Sequence, residues 1–152
     1  MKGEQILTAE MSDYPDIPSF KKDPEVQVKG KVHAIFQPHG SLTVQYNLHG
    51  LKKSPVCRCC GIAIYDGESC HTVAEIQPWP YYNNTDPDIH GNPWNQAMAC
   101  YALTDYSGET GGMFGIYTGY NYDDYNGKIV VVHDETGFKI GCGVLYPKEW
   151  LE

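Results

Sequence analysis

The clearest pattern in the chain is an alternation of apolar and polar residues that begins at Val26. Apolar residues recur with a period of two on both sides of the turn-forming segment 37–40, at Val26, Val28, Val32, Ala34 and Phe36 and then at Leu42, Val44, Tyr46 and Leu48. A period of two is typical of a strand with one buried face, so the pattern predicts a β-hairpin. Because a slip of one residue would expose the whole apolar set, the pattern also specifies the register.

A second hairpin is predicted near the end of the chain. Residues 129–132 and 138–145 are apolar runs, and the Asp-Glu-Thr-Gly segment 134–137 between them favours a turn. His133 ends the first run and Cys142 lies inside the second. Both are residue types that can carry chemistry.

The remaining pattern predicts further short strands and no long helix. Residues 61–65 form a short apolar run, and 96–105 and 113–120 are predicted to be a strand pair, followed by a loop at 121–126. Residues 66–95 have no periodicity and are rich in proline and aromatic residues. About eight closely spaced strands indicate an all-β fold, a Greek-key antiparallel β-barrel or sandwich.

The length of 152 residues is typical of one domain. Residues 1–24 are predicted to be an irregular N-terminal arm, because three prolines and several aspartates disfavour both helix and sheet. Residues 25–152 are predicted to form the barrel domain.

Composition excludes some partners. A formal net charge of −8 argues against a nucleic-acid partner, which needs clustered Lys and Arg. No apolar run approaches the roughly 20 residues of a membrane helix. Six cysteines in a small β-rich chain predict disulfides and an oxidising compartment, either extracellular or an organelle lumen. No signal peptide is visible, so this localisation requires that a targeting segment has been removed.

The second hairpin carries a resemblance to a known family. Residues 130–134 read Val-Val-Val-His-Asp, and residues 139–145 read Lys-Ile-Gly-Cys-Gly-Val-Leu. This resembles the C-terminal hairpin of the copper/zinc superoxide dismutase superfamily, and most of all the copper-only superoxide dismutase repeat proteins. The resemblance implies a Greek-key barrel, the fold class that the strand count also predicts.

The same resemblance implies a degenerate copper site. The family has a Gly-Ile-His-Ile-His segment, whereas this chain has Ala63 and Tyr65 at the two histidine positions. The region expected to supply a third ligand, 73–83, contains no histidine, and only His133 matches a family ligand. Lys139 stands where the family has an anion-guiding arginine. We therefore expect no catalytic residues, no bound metal or other cofactor, and no dismutase activity from the inherited site.

The resemblance also implies a disulfide between Cys70 and Cys142. The other four cysteines could form two further bridges; they are Cys57, Cys59, Cys60 and Cys100. An alternative is a structural zinc site, in which Cys100 or His71 completes a tetrahedron with the cysteine cluster at 57–60.

These observations predict a non-catalytic, superoxide-dismutase-like domain that acts as a structural or protein-interaction subunit, with other protein subunits as partners. The candidate interface consists of aromatic residues, which are enriched at such surfaces: Trp79, Tyr81, Tyr82, Trp94, Tyr120, Tyr122 and Tyr125. The alternative for these rings is that they cover the barrel ends.

Two other functions stay open at this point. One is a copper-binding protein or superoxide dismutase with a rebuilt site, using His133, Tyr65, Lys139 and a histidine from the long loop. The other is carbohydrate binding by stacking of the aromatic rings at 79–82.

Overall fold

The computed structural model describes residues 5–15, 24–51, 61–71, 108–133 and 139–147. The predicted strand at 96–105 lies outside these residues. So do several of the predicted site residues, namely Cys57, Cys59, Cys60, Cys100, Trp79, Tyr81, Tyr82 and Trp94.

Within the described ranges the chain forms eight strands, one four-residue helix and one 3-10 turn. They are β1 (Gln5–Asp13), β2 (Lys29–Phe36), the 3-10 turn (Pro38–Gly40), β3 (Ser41–His49), β4 (Ile62–Tyr65), β5 (Thr110–Tyr117), α1 (Tyr122–Tyr125), β6 (Ile129–His133), β7 (Lys139–Val144) and β8 (Tyr146–Pro147). Neighbouring strands are antiparallel in the order β4-β6-β7-β1-β2-β3-β5, and β8 pairs with β1. The sheet curls into a half-barrel, so the predicted all-β antiparallel architecture is confirmed.

Both predicted hairpins are present. In the first, Val32 pairs with Tyr46 and Ala34 with Val44, and these four side chains are buried in the core. In the second, β6 pairs with β7. The 3-10 turn of the first hairpin ends at Gly40, where a Cβ atom would lie 2.5 Å from the Cα of Gly119. Only glycine permits this approach of the two backbones.

The prediction of irregular structure at the N-terminus is wrong for residues 5–13. These residues form β1, whose alternate side chains Leu7, Ala9 and Met11 are buried in the core. The short period-two pattern at 7–11 outweighs the proline-rich and aspartate-rich composition that follows it. β1 pairs with β2 along residues 5–11 and with β7 at residues 12–13, so it joins the two parts of the sheet.

The segment 121–126 contains a short helix where the sequence predicted a loop. Asn121 caps α1 by accepting hydrogen bonds from the backbone N–H groups of Asp123 and Asp124. Tyr125 packs against Phe36 with ring centroids 5.8 Å apart, and it is 0% exposed. The prediction that Tyr125 belongs to an exposed interface is therefore wrong, because its ring is part of the core.

The other two described aromatic residues of the predicted interface, Tyr120 and Tyr122, lie close to Tyr125 and Phe36. Tyr120 packs edge-on against Tyr125, and Tyr122 packs edge-on against Phe36. Both are half-buried. All three rings pack in or against the hydrophobic core, which favours the alternative that they cover part of the barrel.

No helix among the described residues has the length and apolarity needed to cross a bilayer.

Candidate functional site

The positions that the resemblance predicts to be a vestigial copper site lie on the paired strands β4 and β6. Ala63 is opposite Val131 and Tyr65 is opposite Ile129, while the backbone N–H of His133 donates to the carbonyl of Gly61 at 2.8 Å. Because alternate residues of a strand share a face, the side chains of Ala63, Tyr65 and His133 project from the same side of the sheet. All residues of both strands are buried.

The hydrogen bonds of His133 fix its tautomer. Its Nδ1 lies 3.1 Å from the carbonyl oxygen of Gly61, which can only accept, so Nδ1 carries the proton and donates. Nε2 of the neutral ring is then an acceptor. The hydroxyl of Tyr65 lies 2.8 Å from Nε2 and donates to it.

The Tyr65 and His133 rings also stack on each other. Their centroids are 5.7 Å apart and their planes are inclined by 30°. The two residues stand at opposite ends of the β4–β6 pairing, and Ala63 lies between them in the register. The small side chain of Ala63 therefore leaves the space in which the two rings meet.

Burial keeps Tyr65 protonated. The loss of solvation raises the pKa of Tyr65 to about 12, and the neighbouring phenol of Tyr14 adds to the rise. A neutral phenol donates a hydrogen bond well but is a poor metal ligand, since binding requires the phenolate. Tyr14 carries no signal in the sequence, because its distance along the chain from Tyr65 gives no hint of their proximity in the fold.

An irregularity in the strand pairing brings Lys139 next to Tyr65 and His133, and these three residues with Ala63 are called the cluster below. A bulge between Val132 and His133 shifts the register, so His133 is opposite Lys139. The Lys139 ammonium lies 5.5 Å from the centroid of the Tyr65 ring, within the range of a cation–π contact. The fold thus brings all four residues of the predicted vestigial site, Ala63, Tyr65, His133 and Lys139, to one place.

The described residues at this place do not fit a copper ion. A redox copper site needs several converging soft or imidazole ligands. No three His, Cys, Asp or Glu residues within the described ranges form a group that could hold a metal. The lone pair of His133 that could bind a metal accepts the Tyr65 hydroxyl instead.

A disulfide lies next to the cluster. Cys70 and Cys142 are bonded, with their Cα atoms 6.0 Å apart, as the resemblance implied. Cys142 is fully buried and pairs with Val131, on the strand that ends at His133. The bond therefore ties the segment after β4 to β7 at the edge of the candidate site.

No protein-family model matches the chain, and no curated protein matches it. Solved structures of Candida albicans superoxide dismutase 5 are similar at 12% sequence identity. A glutamate-to-alanine variant has a TM-score of 0.57, covering 97% of this chain and 92% of the other, and an aspartate-to-asparagine variant has 0.60, covering 95% and 92%. The Cu(II) form has a TM-score of 0.56, covering 95% and 93%. The fold of this chain is therefore similar to that of superoxide dismutase.

Proposed function

We propose that the protein is a non-catalytic domain with a superoxide-dismutase-like fold, which serves as a structural or protein-interaction subunit. The observation that carries the proposal is the buried hydrogen bond from the Tyr65 hydroxyl to Nε2 of His133 above Ala63. This contact uses the lone pair of His133 that a bound metal ion would need.

The chemistry of the residues supports a loss of copper binding. Ala63 offers no donor atom, and the raised pKa of Tyr65 keeps its oxygen protonated at neutral pH. A single imidazole does not define the geometry that redox cycling requires. Loss of even an outer-shell partner typically costs about 10–100-fold in metal affinity or activity, so the loss of direct ligands is expected to abolish the site.

Exposed apolar side chains support a role in protein contacts. Met113 and Tyr117 on β5 are 65% and 67% exposed, and Tyr146 on β8 is also exposed. Methionine and tyrosine are enriched where proteins meet. The register of β5 places two glycines, Gly111 and Gly115, at alternate positions beside Met113, so this part of the surface is open.

We also propose that the protein acts in an oxidising compartment. The Cys70–Cys142 bond is of the kind that persists in secreted proteins and organelle lumens but is rare in the cytosol.

Metal analysis of protein purified without chelator tests the proposal. We expect less than one tightly bound ion per chain and no superoxide turnover after addition of one equivalent of Cu(II). Any weak copper binding is expected to be the same in the matched variant His133→Gln. One tightly bound copper ion that disappears in that variant, together with rapid turnover, would overturn the proposal.

The subunit role has its own test. We expect the protein to co-purify with another protein, or to show a molar mass in light scattering that rises with concentration. A monomer at every concentration and in every extract would contradict this part of the proposal.

A further inference from the structure

Tyr65 and His133 form a buried donor and acceptor for a proton, and the proposed structural role makes no use of this arrangement. The hydroxyl oxygen and Nε2 are 2.8 Å apart, and the residues are 5% and 1% exposed. Because water is largely excluded, His133 is the base that faces the phenol directly.

We propose that Tyr65 is a redox-active tyrosine, which gives one electron to an oxidant of the peroxyl-radical class while its hydroxyl proton moves to Nε2 of His133. The O–H bond of Tyr65 breaks, an N–H bond forms at Nε2, and the electron leaves the phenol ring for the oxidant. The products are a neutral phenoxyl radical, an imidazolium and the oxidant reduced by one electron. This stoichiometric activity goes beyond the proposed structural role and requires no metal.

The surroundings of Tyr65 require the proton and the electron to leave together. The raised pKa of Tyr65 means that no phenolate is present at neutral pH to be oxidised directly. Loss of the electron alone would leave a radical cation beside the Lys139 ammonium, which lies 5.5 Å from the ring centroid. Repulsion between these two positive charges is strong where water does not screen it. Movement of the proton to His133 leaves the ring neutral and places the charge on the imidazolium, which the carbonyl oxygen of Gly61 stabilises through the Nδ1–H bond.

His133 is held in the form that can receive this proton. The bond from Nδ1–H to the carbonyl of Gly61 leaves Nε2 as the acceptor. The same Nδ1–H bond persists in the imidazolium and helps to stabilise its charge. Imidazole is also the side chain whose basicity is best matched to neutral pH.

Burial is expected to lengthen the lifetime of a Tyr65 radical, as it would at any other buried tyrosine such as Tyr125, so the assignment to Tyr65 comes from the variants below. Radicals on exposed tyrosines such as Tyr117 meet radicals on other molecules and are lost by coupling. The Tyr65 ring is enclosed and cannot make such encounters. We therefore expect a slowly decaying tyrosyl radical.

Flash photolysis of chelator-treated protein tests the proposal. The probe is tris(bipyridine)ruthenium(III), a one-electron oxidant whose positive charge favours encounter with this acidic chain. The radical is followed by its visible absorption and by electron paramagnetic resonance. We expect the slow radical in the wild type and in the matched control Tyr117→Phe, and its loss in Tyr65→Phe.

Two further variants test the coupling of proton and electron. His133→Gln keeps an oxygen that can accept the hydrogen bond but removes the basic nitrogen. Its oxidation of Tyr65 is expected to be slower by roughly 100-fold, the lower end of what a positioned proton acceptor contributes. Lys139→Met removes the opposing charge and is expected to accelerate oxidation by about tenfold at low ionic strength.

Three results would overturn the proposal. They are a slow radical that survives in Tyr65→Phe, a wild-type rate in folded His133→Gln, and the absence of a solvent deuterium isotope effect in the wild type. If His133→Gln does not fold by circular dichroism, the comparison of the two tyrosine variants and the isotope effect decide the matter. Because the protein is stripped of metal, these results are independent of the copper test above.

Discussion

The two parts of the sheet on either side of β1 bury their strands differently. In the open part, formed by β2, β3 and β5, the residues of β3 alternate between buried and solvent-accessible positions. In the closed part, formed by β4, β6 and β7, every residue of β4 and β6 is buried. The open part has one face in water, whereas β4 and β6 in the closed part have both faces covered.

Because of this difference, a polar side chain needs a hydrogen-bond partner within the protein in the closed part but not in the open part. A polar side chain on β3, such as Gln45, is exposed and needs no partner within the protein. In the closed part a polar group must find its partner inside the protein, because buried polar groups are costly unless they form hydrogen bonds. Tyr65 and His133 meet this requirement by bonding to each other.

The largest expected effect on stability comes from burying a charge in the closed part. Val131→Asp puts a carboxylate at a fully buried position between Ala63 and Cys142 in the strand pairing. We expect a loss of more than about 4 kcal/mol, enough to prevent folding. The matched change Gln45→Asp on β3 is expected to stay within about 0.5 kcal/mol. Urea unfolding followed by circular dichroism measures both, and similar losses would refute the distinction between the two parts.

Removal of the disulfide is expected to weaken the closed part specifically. The Cys70–Cys142 bond spans 72 residues, so the double variant Cys70→Ala, Cys142→Ala is expected to lose about 4 kcal/mol. Hydrogen exchange should show a greater loss of protection in β4, β6 and β7 than in β2 and β3. A loss no larger than that of surface substitutions, about 0.5 kcal/mol, would contradict the expectation.

Glycine-to-alanine substitutions test how much room the two parts leave for an added Cβ atom. A Cβ atom on Gly143 in β7 would lie 2.5 Å from the carbonyl oxygen of Glu10 and 2.9 Å from the sulfur of Met11. Gly143→Ala is therefore expected to cost about 2 kcal/mol through overpacking. A Cβ atom on Gly115 in β5 would meet nothing within 4 Å, so Gly115→Ala is the neutral control. Thermal unfolding distinguishes the two, and equal midpoints would contradict the close approach of β1 to β7.

The smallest effect is expected from the loss of one hydroxyl group. Tyr65→Phe leaves Nε2 of His133 without the phenol donor, and we expect a loss of about 1 kcal/mol at neutral pH. Tyr117→Phe removes an exposed hydroxyl and serves as the control, with no change expected.

The raised pKa of Tyr65 also predicts that the stability of the protein depends on pH. The pKa of Tyr65 rises on folding from about 10 to about 12, so the folded protein holds this proton more tightly than the unfolded chain does. Stability from this group is complete below pH 10 and is lost as the pH rises from about 10 to about 12. Between these values the wild type should therefore lose stability more steeply than Tyr65→Phe. Parallel slopes in denaturant unfolding would count against the burial of this phenol.

The sequence is most informative for the open part. The period-two pattern at 26–48 predicts both strands and their register, because one face of each strand meets water. The strand at 5–13 is not predicted from the sequence, although Leu7, Ala9 and Met11 follow the same period. The proline-rich and aspartate-rich segment that follows them favours irregular structure for the whole region.

The sequence is less informative for the closed part. Its strands are short apolar runs without alternation, and the sequence predicts the hairpin of β6 and β7 but not the pairing of β4 with β6. The resemblance supplied the positions of Ala63, Tyr65, His133 and Lys139, but not the hydrogen bond between Tyr65 and His133. That bond depends on the pairing of segments 68 residues apart, which no local pattern encodes.

The position of β1 between the two parts has a consequence for biosynthesis. Ser12 pairs with Cys142, 130 residues later, and Leu7 pairs with Pro147. Neither contact can form until almost the whole described chain has left the ribosome, and such non-local pairing is typical of proteins that fold in milliseconds to seconds. During synthesis, Cys70 leaves the ribosome well before its partner Cys142, which lies 72 residues later. The Cys70–Cys142 bond is therefore expected to form late, once nearly all of the described chain has been synthesised.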